Sequence, residues 1–230
     1  MKAKVITTII ITLFLASILS AAFYVMPVSA PVTNIVANPS FETPEVTHGE
    51  CWGIWASGTA GLGWSVEWMP SVPAMWDSYL RPSPAYIELQ ENGIYFGLTA
   101  YDGDQWAELD SDWFGPGGPS GEPASIAIYQ DLSTVAGVSY ELSFVYSPRP
   151  GALNNILNVY WDGDLIATIS ITGSAHWTTV TYTVIASSGT TTLRFEEAGT
   201  PDGLGMLLDD VCVTPIYYTV TVEAEGDGDA

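Results

Sequence analysis

The fold is decided by Ser139-Tyr140-Glu141-Leu142-Ser143-Phe144-Val145-Tyr146, in which large apolar or aromatic side chains recur at every second residue. Successive side chains of a β-strand point to opposite faces, so the even-numbered residues from Tyr140 to Tyr146 would share one buried face. The serines and the glutamate at odd-numbered positions suit a wetter face. The stretch therefore predicts a half-buried antiparallel strand.

The same alternation continues on the C-terminal side of this stretch. In Leu157–Trp161 the odd-numbered residues are the apolar ones, and Asp162-Gly163 then predicts a hairpin turn into Leu165–Ile171. Later runs place Val180, Tyr182 and Val184 on one face and Leu193 and Phe195 on another. Gly, Pro, Asp and Ser clusters separate the runs, and long stretches with helical spacing are missing. We therefore expect one all-β domain, an antiparallel β-sandwich of the jelly-roll type.

The first thirty residues have the pattern of an export signal. Lys2 and Lys4 form a positive start, an apolar run extends from Val5 to about Met26, and Val28-Ser29-Ala30 offers small residues for cleavage. The apolar run is also long enough to remain as an N-terminal anchor. Both alternatives predict a secreted or cell-surface protein.

These features divide the chain into three parts. Residues 1–30 are the signal peptide or anchor, and residues 31–215 are the jelly-roll domain. Residues 216–230 begin with one strand-like run and end in a Gly/Asp/Glu-rich tail. They could therefore be the start of a further β module or a short acidic tail.

The charge is strongly negative. The formal net charge of the chain is −21, and it becomes −23 once Lys2 and Lys4 are removed with the signal. Such a surface repels phosphate backbones and anionic lipids, which argues against nucleic-acid partners and against membrane contact beyond the possible anchor. It is compatible with calcium and with neutral glycans, although strong acidity also simply favours solubility.

Two cysteines are present, Cys51 and Cys212. In an oxidising compartment two lone cysteines often pair, so we expect a disulfide between them. The alternative is that they are two small buried apolar residues.

A set of short motifs follows in order along the chain: Asn38-x-Ser40-Phe41-Glu42, Gly63-Trp64, Leu132 with Gly137-x-x-Tyr140-x-Leu142-x-Phe144, Trp161-Asp162-Gly163, Trp177, Leu193-x-Phe195 and Leu208-Asp209-Asp210-Val211. Over about residues 32–214 this order resembles the galactose-binding-like jelly rolls, notably the xylan- and cellulose-binding CenC-type modules and related wall-associated domains. Pro39 stands where a glycine is usual. The resemblance implies a non-catalytic carbohydrate-binding module, often with a structural calcium near its two ends.

By position, the resemblance implies a calcium site formed by Glu42 and by Asp209 or Asp210, with backbone carbonyls completing the shell. The residues themselves point the same way, because a sandwich commonly brings its first and last strands together. Carboxylates that meet there, away from basic residues, repel each other unless a cation lies between them. The alternative is that Asp209-Asp210 only adds charge to an edge strand.

Candidate ligand-binding residues lie in two long insertions, 49–84 and 110–123, and in the loop after the Ser139–Tyr146 strand. Sugar rings stack on flat aromatic side chains and their hydroxyls bind planar polar groups. The candidates in these loops are Trp76, Asp77, Tyr79, Arg81, Trp113 and Arg149, whereas Trp64, Trp106 and Trp161 fit core positions.

Two further candidates are Glu88 and Glu108. Strands 86–90 and 106–110 place them on faces opposite their aliphatic neighbours. If the strands are adjacent, these residues would form a shallow acidic and aromatic groove. That groove would suit a sugar platform or, alternatively, a paired-carboxylate hydrolase.

Three functions are compatible with these patterns. The favoured one is an exported, non-catalytic module that binds polysaccharide. The alternatives are a structural or adhesive surface module with protein partners, and a glycoside hydrolase or lyase. A Gly-x-Ser-x-Gly elbow, a zinc-type histidine spacing and a lysine-containing phosphate loop are all missing from the sequence.

Overall fold

The computed structural model describes residues 33–46, 51–93, 96–119 and 121–217. Val32–Tyr217 forms one compact unit. The expected signal or anchor at residues 1–30 and the tail from residue 218 onward lie outside the described residues, so both stay predictions. In the described part of the chain no helix is long and apolar enough to cross a bilayer.

The described residues form thirteen strands, and every pairing between them is antiparallel. In chain order they are β1 (Trp52–Ala56), β2 (Ser65–Trp68), β3 (Met75–Trp76), β4 (Tyr79–Leu80), β5 (Tyr86–Glu91), β6 (Gln105–Glu108), β7 (Ile126–Ser133), β8 (Ser139–Ser147), β9 (Asn155–Trp161), β10 (Asp164–Ile171), β11 (Thr178–Ile185), β12 (Thr190–Glu197) and β13 (Leu207–Pro215).

Two large sheets and one small hairpin result. The six-stranded sheet has the order β1-β5-β6-β13-β8-β11, and the five-stranded sheet has the order β10-β9-β12-β7-β2. Strands β3 and β4 pair only with each other. The expected fold class, an all-β antiparallel sandwich, is confirmed.

The core lies between the two large sheets and follows the alternation read from the sequence. Phe144 of β8 contacts Phe195 of β12 edge-to-face, with ring centroids 5.0 Å apart. The even-numbered residues of β8 and the odd-numbered apolar residues of β9 are buried there, as expected. Each large apolar side chain buried in this way contributes roughly 1.5–3 kcal/mol.

The first described residues lie along the last strand. The amide of Ile35 donates to the carbonyl of Val213 at 3.0 Å, and the amide of Val211 donates to the carbonyl of Pro39 at 3.0 Å. The side chain of Asn34 adds bonds to the backbone of the same two β13 residues. The head and the tail of the domain are therefore neighbours.

The expected disulfide is not formed, and both thiols are free. Cys51 precedes β1 at one edge of the six-stranded sheet, whereas Cys212 lies on β13, with β5 and β6 between them. Three strand spacings amount to about 14 Å. A disulfide needs its Cα atoms within about 7 Å, so the pair cannot bridge.

Candidate functional site

Strands β5 and β6 are adjacent, and Glu88 lies directly opposite Glu108 in their register. Ile87, Leu89 and Ala107 face the main core, so the two glutamates project from the other side of the sheet. Gln90 and Trp106 form the next pair on the glutamates' side. The two strands, whose adjacency the sequence left open, therefore place both carboxyl groups together.

A hydrogen-bond network joins these side chains. The amide nitrogen of Gln90 donates to Glu88 Oε1 at 2.8 Å and also to Glu108, and its oxygen accepts the Trp106 indole N–H at 3.0 Å. Arg149 Nε donates to Glu108 Oε1 at 3.1 Å, and the amide of Gly205 donates to the same oxygen at 2.9 Å.

Glu88 and Glu108 are interior residues. Glu88 is 6% exposed and Glu108 is 0% exposed. Burial first, and then the neighbouring Glu108, raise the pKa of Glu88 to about 8 against the opposing effect of Gln90. Burial also raises the pKa of Glu108, while the Arg149 guanidinium lowers it. We assign the negative charge of the pair to Glu108, which Arg149 contacts directly, and the shared proton to Glu88.

The carboxyl pair continues into a second acidic pair. Burial first, together with the nearby carboxyl groups of Glu88 and Glu122, raises the pKa of Asp112 to about 8. Glu122 accepts the amide of Trp113 at 2.6 Å, whereas its other oxygen has no hydrogen-bond partner among the described residues. Protons, rather than basic side chains, therefore neutralise part of this interior cluster.

The predicted open groove on β5 and β6 is not present in the structure. Its position is filled by Trp106, Leu98 and Leu207, with Phe96 and Trp177 packed against them. Arg149, expected on a loop, is also buried, and its guanidinium lies 4.3 Å over the Phe96 ring. Glu88, Glu108 and Arg149 thus form an interior network and do not line an accessible surface.

The prediction that Trp113 contacts ligand is also corrected, because its side chain is only 3% exposed. The insertion folds back on itself through the bond from the Ser111 amide to the Ala124 carbonyl. This turns the indole onto Trp68, at a centroid distance of 6.2 Å, and away from solvent. A ligand cannot stack on a ring in this position.

The hairpin β3–β4 carries the remaining loop candidates. Trp76 and Tyr79 are paired across it, and the turn residues Asp77 and Ser78 have φ values of 41° and 71°. Phe114 lies beside both rings, at 5.0 Å from Tyr79 and 6.5 Å from Trp76. We call Trp76, Tyr79 and Phe114 the aromatic surface.

This surface reaches solvent. Tyr79 is 49% exposed, and the adjoining Leu80 is 74% exposed. Arg81 holds the base of the hairpin, since its amide donates to the Ala74 carbonyl at 2.9 Å and its guanidinium donates to the Val72 carbonyl. The sequence indicated Trp76, Asp77, Tyr79 and Arg81 as residues of a long loop, but neither the hairpin nor Phe114, whose only signal was its place before the turn at Gly115-Pro116.

The two acidic motifs meet at one loop, residues 101–105. Glu42 Oε1 accepts the amides of Asp104 at 2.9 Å and Gln105 at 2.8 Å. From the other side, Asp209 accepts the amides of Tyr101 at 2.8 Å and Asp102 at 3.1 Å. Of the two aspartates left open by the sequence, Asp209 is therefore the one that turns toward the loop held by Glu42.

This corner fits a cation only in part. Glu42, Glu45, Glu91 and Asp104, with Asn92 and Gln105, line a pocket of about 290 Å³. The oxygens of Glu42 and Asp209 that face the loop accept N–H groups. Within the described ranges no three acidic, histidine or cysteine side chains are grouped closely enough to hold a metal ion.

Comparisons with known proteins identify partial relatives. No family model matches the chain. A segment of 90 residues, 38% of the chain, is 34% identical to the multifunctional-autoprocessing repeats-in-toxin of Vibrio cholerae serotype O1. The toxin of Vibrio vulnificus matches at 34% over 87 residues. The chain spans about 2% of the length of these two curated relatives.

Several solved structures with a partial likeness are carbohydrate-binding modules. The CBM22-1 xylan-binding domain of Paenibacillus barcinonensis has a TM-score of 0.43 at 13% identity, covering 73% of this chain and 94% of that one. A CBM4 structure has a TM-score of 0.38 at 19% identity, covering 79% and 99%. A family 35 module from Clostridium thermocellum has a TM-score of 0.35 at 14% identity, covering 50% and 82%.

Proposed function

We propose that this chain is an exported, non-catalytic domain that binds a neutral polysaccharide through the aromatic surface. The observation that carries the proposal is the exposure of Tyr79 beside the partly buried rings of Trp76 and Phe114. Tyr79 is half exposed, Phe114 contacts its ring, and the Arg81 guanidinium bonds to the Val72 carbonyl at the base of the hairpin. Apolar C–H faces of sugar rings pack on such side chains, while sugar hydroxyls bind nearby polar groups.

Polar groups for the sugar hydroxyls are close to these rings. Asp77 lies exposed in the turn between Trp76 and Tyr79, and Arg81 follows the second strand of the hairpin. The rest of the molecule is strongly acidic, with a formal net charge of −21. Anionic polysaccharides would be repelled at moderate ionic strength, so a neutral glycan is the better ligand.

Affinity electrophoresis in gels containing soluble neutral polysaccharides tests this proposal. We expect a neutral glucan, mannan or xylan to retard the wild type. Trp76→Ala and Tyr79→Ala should each weaken binding about 2- to 10-fold, which corresponds to the loss of one aromatic contact. Tyr101→Ala is the matched control, because Tyr101 is a similarly exposed tyrosine in the loop held by Glu42 and Asp209. Equal loss in all three variants, or no retardation of the wild type, would contradict the proposal.

The absence of catalysis is also part of the proposal. What supports it is the state of the Glu88–Glu108 pair, whose oxygens accept bonds from Gln90, Arg149 and Gly205 inside the protein. A glycosidase needs its two carboxyl groups on either side of an accessible sugar bond. Release of reducing sugar from any bound polysaccharide by the wild type, lost in Glu108→Gln, would favour the hydrolase alternative.

We further propose a structural calcium at the head-to-tail corner, in line with the resemblance. It is supported by the convergence of Glu42 and Asp209 on one loop and by further carboxyl groups at Asp102 and Asp210. Calcium prefers six to eight oxygen ligands, which carboxylates and carbonyls of this loop would provide. A rise in melting temperature on adding calcium is expected, abolished in Glu42→Gln and kept in the exposed control Asp164→Asn. An equal response of both variants would exclude this corner.

Export to the medium or to the cell surface is proposed from the pattern of residues 1–30. Sequencing the N-terminus of the protein recovered from medium and from membranes would separate a cleaved signal from a retained anchor. An adhesive role with protein neighbours remains the alternative if no polysaccharide binds.

A further inference from the structure

A long uncharged stretch supplies one edge strand of each large sheet. Between Asp164 and Arg194 the sequence contains no Asp, Glu, Lys or Arg, although the whole chain carries 26 acidic residues. The stretch includes β10 at the end of the five-stranded sheet and β11 at the end of the six-stranded sheet. Natural proteins usually protect such edges with charges, prolines or bulges, because exposed edges pair with other strands.

The two edges differ in their protection. The pairing of β10 with β9 contains a register shift between Leu165 and Ala167, and a bulge of this kind bends an edge away from a partner. The pairing of β11 with β8 runs without a shift over eight residues, from Thr178 opposite Tyr146 to Ile185 opposite Ser139. Strand β11 is therefore a regular, uncharged edge with no proline.

The β11 sequence is also complementary to itself. Two copies of β11 can pair antiparallel about a twofold axis that is normal to the sheet and passes between the two Thr181 residues. In this arrangement the two residue numbers of every cross-strand pair add up to twice 181. On the solvent face Thr181 would meet its own copy and Thr179 would meet Thr183. On the core face Val180 would meet Tyr182. Threonine pairs and pairs of an aromatic with a β-branched residue are favoured cross-strand contacts.

The distribution of charge also favours a second copy of this chain as the partner of β11. Two copies with a net charge of −21 repel each other over most of their surfaces, so the uncharged edge is where they can approach. The nearest acid on the solvent face is Glu141 of β8, opposite Thr183. In the paired arrangement the two copies of Glu141 would be about 20 Å apart, beyond the screening length at physiological salt.

We infer that β11 is the interface of a homodimer, in which two copies join their six-stranded sheets by antiparallel pairing centred on Thr181. The partner is a second copy of this chain. The inference does not depend on the glycan-binding proposal.

Site-directed cross-linking of the full chain tests both the interface and its register. In a Cys51→Ser, Cys212→Ser background, Thr181→Cys places two thiols directly opposite each other, so a short bifunctional thiol reagent should give a covalent dimer on a denaturing gel. Thr179→Cys alone should not cross-link, because its two copies would be about 13 Å apart along the strand. Mixing Thr179→Cys with Thr183→Cys chains should restore the dimer.

Thr168→Cys, an exposed position on β10, is the control for the other edge. Sedimentation of the wild-type chain and of Thr181→Lys gives an independent measurement, with a dimer expected for the first and a monomer for the second. A monomeric wild type would overturn the inference. Equal cross-linking of Thr181→Cys, Thr179→Cys and Thr168→Cys, or a dimer that persists in Thr181→Lys, would also overturn it.

Discussion

The proton held by Glu88 should make the domain more stable in acid than in mild alkali. Glu88 keeps its proton in the folded state up to about pH 8, whereas the same group in the unfolded chain loses it near pH 4.5. Between these values the folded state binds more protons than the unfolded state, so the free energy of unfolding falls as the pH rises. The stabilisation is complete below pH 4.5 and is lost by about pH 8.

The size of this effect follows from the shift. A pKa raised from 4.5 to about 8 corresponds to a change on the order of 5 kcal/mol in the free energy of unfolding. For a domain of this size, that is a fall of roughly 10 °C or more in melting temperature. Asp112 and Glu197, whose pKa values burial raises to about 8 and about 7, titrate in the same interval and add to the fall.

Glu88→Gln isolates the contribution of this one residue. The amide stays neutral at every pH and can still accept the bond from Gln90, so stability near pH 5 should change by less than about 1 kcal/mol. At pH 8.5 the variant should be more stable than the wild type by a few kcal/mol. Thermal melts followed by circular dichroism from pH 5 to pH 8.5 measure both quantities.

The matched control is Glu141→Gln, which removes an exposed carboxylate from the solvent face of β8. Its melting temperatures should follow the wild-type curve. The reasoning is refuted if the wild type does not lose stability between pH 5 and pH 8.5, or if the curves of Glu88→Gln and wild type are parallel.

Three other changes should alter stability in predictable ways. Gly103→Ala should destabilise the domain by about 1–3 kcal/mol in urea unfolding, because φ is +74° and an added Cβ would approach the Glu42 carboxylate; an unchanged midpoint would contradict this. Trp113→Ala should cost roughly 3–5 kcal/mol in the same assay, as for a buried aromatic, whereas a ligand-stacking residue on the surface would cost little. Cys51→Ser with Cys212→Ser should melt within about 1 °C of the wild type whether or not reductant is present, since a 2–5 kcal/mol disulfide contribution is not expected.

The sequence predicts best those strands in which the pattern of neighbouring residues alone shows which side chains are buried. In β8 and β9 the period-two alternation states directly which residues face the core, and the Asp162-Gly163 turn has the positive φ values that such a hairpin needs. These features depend only on neighbouring residues. The meeting of the first segment with β13 was also predictable, because it is a general property of the architecture.

The errors all concern contacts between distant segments. Arg149 lies among prolines and a glycine, which suggested an exposed loop, yet its partner Glu108 is 41 residues earlier and inside the sheet. Trp113 is buried because residues 111 and 124 pair, which no local pattern indicates. The prediction of a disulfide was wrong because the nearness of the two chain ends does not reveal that β5 and β6 lie between Cys51 and Cys212.

The bond between Ile35 and Val213 has a consequence for how this domain can be combined with others. When the chain enters and leaves a domain at adjacent points of one sheet, the segments attached to the two ends of that domain lie close together. Such a unit can be inserted into a surface turn of a host protein without forcing the host's own fold apart. For the same reason, a version with residues 33 and 217 joined by a short glycine linker and opened in the exposed Asp162-Gly163 turn should fold to the same sandwich.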